Sequence, residues 1–319
     1  MRTKLGAGLS GLLLMLALSA CGQAASTTPT SEAASAETTP TGQTEQAVQV
    51  SPDAKIASMS IHMTNNLLAL GIKPVGSAIG GGVGDFLPHV ADQLEGTEKL
   101  GVVTDPDIEA VLALAPDYIF TDTHFGGDFL PQLEKIAPVI STDLDEDTWR
   151  EHLLQTASYF GTEKEDIAQT FIAEYEKKIE QARKLIDQEF AETPKVAAIR
   201  VSAKELRIQS MERPLGPILY DDLQLNPVDG LVEMTGEEPY AVISKEILPD
   251  LDADMILLLV NNDADAQKSF EELEKNPLWT NLKAVKAGHV YATDGQKWLD
   301  YSSLGQSMAA DNLIDLLSK

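Results

Sequence analysis

Short apolar runs alternate with longer amphipathic stretches from about residue 55 onward. Residues 55–60, 73–78, 117–122 and 138–142 read as strands of a first half, and residues 195–202, 205–210, 254–260 and 289–294 as strands of a second. Each run is rich in apolar or β-branched residues and is bounded by turn formers. Residues 63–70, 107–115 and 129–136 fit as helices between strands. Strands alternating with helices need crossover connections, so the expected fold class is α/β, with two lobes of mostly parallel sheet. Between the halves, Ile167, Phe171, Tyr175, Ile179, Ala182 and Ile186 make a stripe with steps of three and four. No Gly or Pro interrupts residues 163–190, and Pro194 follows. That spacing predicts one long rigid helix joining the lobes.

The pattern also repeats. Residues 109–120 match residues 246–257 position for position: a glutamate opens a short helix, a leucine follows five residues on, and an aspartate three further precedes a buried strand. Each lobe therefore carries a glutamate, Glu109 or Glu246, at a comparable place.

The N-terminal segment has a different pattern. Arg2 and Lys4 precede an apolar run from Leu9 to Leu18, then come Ser19, Ala20 and Cys21, the only cysteine. This is the build of a secretory leader, with an apolar stretch too short for a stable membrane span. A cysteine at the cut resembles the bacterial lipobox, whose thiol is lipidated and becomes the new N-terminus. Residues 22–50 are mostly Ser, Thr, Ala, Glu, Gln and Pro, too polar to repay ordering, and read as a tether. The expected borders are a leader at 1–20, a tether at 21–50, an N-terminal lobe at 51–162, the joining helix at 163–191 and a C-terminal lobe at 192–319. The expected location is the extracytoplasmic face of the cell membrane, through a lipid on Cys21.

Charge narrows the partners. The chain carries 24 Lys+Arg against 50 Asp+Glu, a formal net charge of −26. Such a surface repels nucleic acid and anionic headgroups. With Cys21 at the cut, no thiol remains for disulfides or a thiolate metal site.

Several segments in order resemble the lipid-anchored or periplasmic binding proteins of ABC importers for ferric siderophores, haem and cobalamin. They are residues 55–60 with 67–76, 106–117, Arg213-Pro-Leu-Gly-Pro-Ile-Leu-Tyr-Asp-Asp-Leu223, and residues 278–291 with Trp298. The resemblance covers nearly the whole mature chain. It implies two α/β lobes bridged by one long helix, a ligand held between them with slight closure, and a monomer that docks on a permease dimer. It implies further that Arg213 meets ligand oxygens, that Trp298 and Tyr301 wall the cleft, and that Glu109 and Glu246 meet permease arginines. The residues themselves also allow Arg213 in a surface ion pair and Trp298 in the core.

In parallel-stranded lobes, ligands sit at the carboxyl ends of strands. The first-lobe ends, residues 61–65, 79–86, 123–127 and 143–147, contain no Lys or Arg, and the last contains three aspartates and a glutamate. The second lobe offers Arg200, Arg207, Arg213 and Lys297. One basic face opposite an acidic one suits a ferric complex of low net charge, so a hydroxamate is favoured over a triply anionic catecholate. No two of the five histidines have helix-face ligand spacing, so no all-protein metal site is expected. His62 and His124 lie at strand ends and could meet in the cleft to ligate haem, and the resemblance leaves haem or cobalamin as the alternative ligand. No nucleophile elbow or phosphate loop occurs, so no enzyme, catalytic residue or intrinsic cofactor is expected. A lipid-anchored hydrolase is the alternative of another class.

Overall fold

In the computed structural model, which describes residues 48–51, 53–80 and 82–319, the apolar runs gather into two six-stranded sheets. The first holds β1 (Ile56–Ser58), β2 (Gly76–Ile79), β3 (Glu98–Val102), β4 (Asp105–Pro106), β5 (Tyr118–Asp122) and β6 (Val139–Thr142), in the order β4-β3-β2-β1-β5-β6. Every neighbour is parallel except β3 with β4. The second holds β7 (Lys195–Val201), β8 (Leu206–Gln209), β9 (Asn226–Pro227), β10 (Tyr240–Ile243), β11 (Met255–Val260) and β12 (Val290–Asp294). Its order is β10-β8-β7-β11-β12, with β9 beside β7. Here β7, β11 and β12 are parallel, β8 runs antiparallel to β7, and β10 runs antiparallel to β8. The short turn closed by Ser202 N–H on Glu205 C=O permits only an antiparallel β7–β8 pair. All six residues of β11 are buried, as a strand covered on both faces requires.

The helix Thr162–Glu189 has 28 residues and spans about 42 Å at 1.5 Å per residue. Tyr175, Ile179, Ala182 and Ile186 of the predicted stripe are buried, while Ile167 and Phe171 pack half-buried on the same core. That core is continuous from the second sheet along this helix to Leu70, Trp149 and Leu153 of the first half. Smaller clusters line the first sheet. A polar node fastens the long helix: Asp222 accepts from Arg150 Nη2 at 2.9 Å and from the Tyr175 hydroxyl at 2.6 Å.

The repeat has a structural counterpart. Ile108–Leu114 and the 3₁₀ helix Lys245–Leu251 both end in a left-handed residue, Ala115 at φ 44° and Asp252 at φ 42°. Asp117 N–H then donates to Lys55 C=O and its carboxylate accepts from Lys55 N–H. Asp254 makes the same exchange with Lys195.

Three expectations change. The helix expected at 129–136 shortens to Leu130–Leu133, preceded by a 3₁₀ turn and followed by tighter i→i+3 bonds from Lys135 N–H to Gln132 C=O and from Ile136 N–H to Leu133 C=O. Strands β3, β4, β9 and β10, and the helices Trp149–Ser158, Ala264–Glu274 and Ser303–Leu317, escape the sequence pattern. Val50, expected in the tether, is buried and its N–H bonds Tyr159 C=O. Cys21 and the rest of the leader and tether up to residue 47 lie outside the described residues.

Candidate functional site

The carboxyl ends of the two sheets carry the candidate residues on short, capped turns. After β1, Ser60 caps the helix Ile61–Ala69 through Met63 N–H, which puts His62 in its first turn. After β5, the Asp122 carboxylate caps Thr123–Gly126 through Phe125 N–H at 2.7 Å and presents His124 and Phe125. After β6 comes the acidic segment 143–147. From the second half come Arg213, in the turn ahead of Pro217–Asp222, and Tyr301, after β12.

Four of the six candidate ligand-binding residues form one chain of contacts. His62 stacks on Phe125 with centroids 6.2 Å apart, and His124 meets the same ring edge-on at 4.3 Å. His124 Nδ1 lies 2.8 Å from Asp145 Oδ2, and Arg213 Nη2 donates to Asp145 Oδ1 at 2.7 Å. The Arg213 guanidinium sits 5.0 Å from the centre of the Tyr301 ring. Asp145 therefore bridges the two halves. The His124 hydrogen bond, aided by the nearby Arg213 charge, holds its carboxyl below the usual range. Burial pushes the Tyr301 phenol up.

Arg200 belongs to a second group. It stands in register with Arg207 across β7 and β8, and its Nε donates to Asn261 Oδ1 at 2.9 Å. Burial and the like charge of Arg207 lower its pKa. Arg207 pairs with Glu205 and stacks 4.3 Å over Tyr240. Arg200 has no carboxylate partner among the described residues, so the pair keeps an uncompensated positive charge.

Trp298 corrects an expectation. It is 0% exposed, lies in the main core, and gives its indole N–H to Asn312 Oδ1 at 2.8 Å. A side chain so enclosed packs the lobe and does not wall a cleft. The first-half rim is also less free of cations than its segments suggest, since Lys99 reaches in from β3 to pair with Asp85 at 2.9 Å.

Sequence reasoning missed the polar seam between the two halves. Asp300, with its side chain 0% exposed, accepts from Asn65 Nδ2 at 2.7 Å and has His89 Nε2 2.9 Å from the same oxygen. His62 Nδ1 lies 3.8 Å from its other oxygen. Asn66 Oδ1 accepts from both Ser303 N–H and Ser303 Oγ. These bonds tie the helix Ile61–Ala69 to residues 300–303 and set the spacing of the two halves. The signal was present: adjacent asparagines are poor helix-interior residues and need a tertiary reason. Among the described residues no group of three His, Cys, Asp or Glu could hold a metal ion.

Two cavities lie elsewhere. A groove of about 570 Å³ runs along the long helix between Ala69 and Phe171, and a pocket of about 350 Å³ lies under Leu248, Pro249 and Leu278. Neither adjoins the strand ends.

A family model described as periplasmic binding protein matches residues 85–297. The chain belongs to that family. This periplasmic binding protein is 29% identical over 315 residues to "Probable siderophore-binding lipoprotein YfiY" of Bacillus subtilis, covering 95% of this chain and 94% of the relative. It is 30% identical to "Iron(3+)-hydroxamate-binding protein FhuD" of the same organism, covering 91% and 90%. Among solved structures it resembles the triscatecholate siderophore binding protein FeuA from Bacillus subtilis complexed with ferri-bacillibactin. There the TM-score is 0.68 and the identity 26%, over 85% of this chain and 94% of that one. Proteins of this class bind and deliver a substrate and carry out no reaction, so this periplasmic binding protein is not an enzyme.

Proposed function

We propose that the protein captures a ferric siderophore between the carboxyl ends of its two sheets and delivers it to the permease of an ABC importer. The observation that carries this reading is the contact chain from His62 and His124 through Asp145 to Arg213 and Tyr301, which joins both halves at the strand ends. The relatives support iron as cargo, and they differ in siderophore chemistry, one being named for hydroxamate and one for a triscatecholate.

The charge distribution favours a ferric complex of low net charge, of hydroxamate type. Arg213, Arg200 and Arg207 offer donors from one side only, while the facing rim carries Asp143, Asp145, Glu146 and Asp147 and a Lys99 already paired. Desolvating a triply anionic complex against those carboxylates is unfavourable. The permease would be met through Glu109 and Glu246, both exposed and one in each half of the repeat. A lipid on Cys21 would hold the protein, as a monomer, at the outer face of the membrane.

The test is a tryptophan-fluorescence titration of the mature protein with ferric hydroxamates, catecholates, citrate, haem and cobalamin. Ferric hydroxamates should bind most tightly, and Arg213→Ala should weaken them by about 1–3 kcal/mol, the range for losing a hydrogen bond to a charged group. Haem or cobalamin binding in place of any ferric siderophore would refute the iron reading. An unchanged Arg213→Ala curve would remove Arg213 from the ligand.

A further inference from the structure

We infer that Asp145 is a specificity-determining residue, a built-in competitor that holds Arg213 against the anionic oxygens of the ligand and so sorts ferric complexes by charge. The inference rests on the proposed role of Arg213 in the cleft.

The geometry has three parts. First, Arg213 makes no hydrogen bond to any described acceptor other than Asp145, at 2.7 Å, so a ligand oxygen that takes this guanidinium takes it from that carboxylate. Second, the two partners are held unequally. The guanidinium lies against the Tyr301 ring and its side chain is 27% exposed, whereas the Asp145 side chain is 57% exposed. On exchange the arginine stays and the aspartate gives up that one bond while His124 still holds its other oxygen. Third, His124 Nδ1 contacts the second carboxylate oxygen at 2.8 Å, so the competitor is aimed from its own half of the molecule.

An exposed bridge of this kind is weak enough for a ligand to open. Its effect is selective for another reason. Once displaced, the Asp145 carboxylate remains beside the ligand with Asp143, Glu146 and Asp147 near it in sequence. That cost rises with each negative charge on the complex and is nearly absent for a neutral or cationic one. The His124 hydrogen bond and the Arg213 charge lower the pKa of this carboxyl below its ordinary value, so the competitor is charged at neutral pH.

The test uses the mature protein, Asp145→Asn, Arg213→Ala and the double variant, titrated with ferri-bacillibactin (triply anionic) and ferrioxamine B (cationic). Thermal melts check that each variant is folded. Asp145→Asn should tighten the triscatecholate by roughly 3–10-fold and ferrioxamine B by less than about 2-fold, from the loss of one bridge and one nearby charge. In the Arg213→Ala background the same substitution should recover only the part of that gain due to the nearby charge, because no bridge remains to be broken. Equal or weaker triscatecholate binding by Asp145→Asn overturns the competitor, as does a full gain without Arg213. Failure of the wild-type protein to bind either complex overturns the siderophore reading and the competitor with it. Wild-type binding with a silent Arg213→Ala shows instead that the arginine was misassigned, which also removes the competitor.

Discussion

His152 is a residue whose charge the fold does not accommodate. It is 1% exposed on the helix Trp149–Ser158, and its Nε2 has no hydrogen-bond partner among the described residues. Burial lowers its pKa, Asp147 and a hydrogen bond with the Asp143 backbone oppose this in part, and Arg213 and His62 push it further down. A histidine depressed in the folded state stays neutral while its unfolded counterpart takes up a proton. Stability is therefore complete above the ordinary histidine value of about 6.5 and falls as pH drops from there toward the folded value. His152→Gln should flatten this decline. Between pH 7 and pH 5 its melting temperature should fall less than that of the wild type, by on the order of 2–4 °C. Parallel declines in calorimetry would show that the imidazole has no such role. Residue placement was also where sequence reading was least secure. Trp298, with polar neighbours Gln296, Lys297 and Asp300, points into the core, and Asp300 beside it proves to be the buried hub.

At the scale of elements, the long helix depends on one carboxylate. Asp222 neutralises Arg150, accepts the Tyr175 hydroxyl, and offers its backbone carbonyl to Arg183. Arg150 in turn lies 4.6 Å over Trp149 and 4.9 Å over Tyr175. Burial, with Asp222 adding to it, drives the Tyr175 phenol far above its ordinary pKa, so it acts only as a donor here. Asp222→Ala would strand a half-buried guanidinium and a buried hydroxyl, and should cost about 2–4 kcal/mol in denaturant unfolding. Asp222→Asn should cost less, and a loss below about 0.5 kcal/mol for Asp222→Ala would show that solvent already screens the node. Most strands were legible because their apolar runs are continuous. β10 was not, since Tyr240 and Val242 are exposed on an edge strand and break any burial pattern. The echo between 109–120 and 246–257 was legible because both copies obey one local demand. After a left-handed helix end, an aspartate must satisfy the N–H of the adjacent strand.

For the whole molecule, the two copies of that echo set the docking prediction. Glu109 and Glu246 are exposed in the first turns of their helices, where the helix dipole favours an acid by a few tenths of a kcal/mol without any partner. If they meet a permease, their worth is in steering and orientation and not in ligand affinity. Glu109→Ala with Glu246→Ala should bind ferric siderophore as the wild type does and fail to support iron uptake in cells. Normal uptake at native expression would reduce both residues to helix-start acids. Cys21→Ser should separately release the protein from washed membranes with ligand binding intact. A variant that stays membrane-bound would rule out the lipid anchor.

Local patterning was enough to read the α/β class, the joining helix, the repeat and the basic character of the second-half strand ends, because each depends on neighbours a few residues apart. Tertiary structure decided what meets across the halves. Asp145 and Arg213 are 68 residues apart, and Asn65 and Asp300 are 235 apart. No periodicity couples positions at such separations. Their meeting follows from sheet order and from the way the helix Ser303–Leu317 packs beside the long helix and the helix Ile61–Ala69. Those contacts bring two separately legible strand-end rims together, with Arg213 of one bonded to Asp145 of the other.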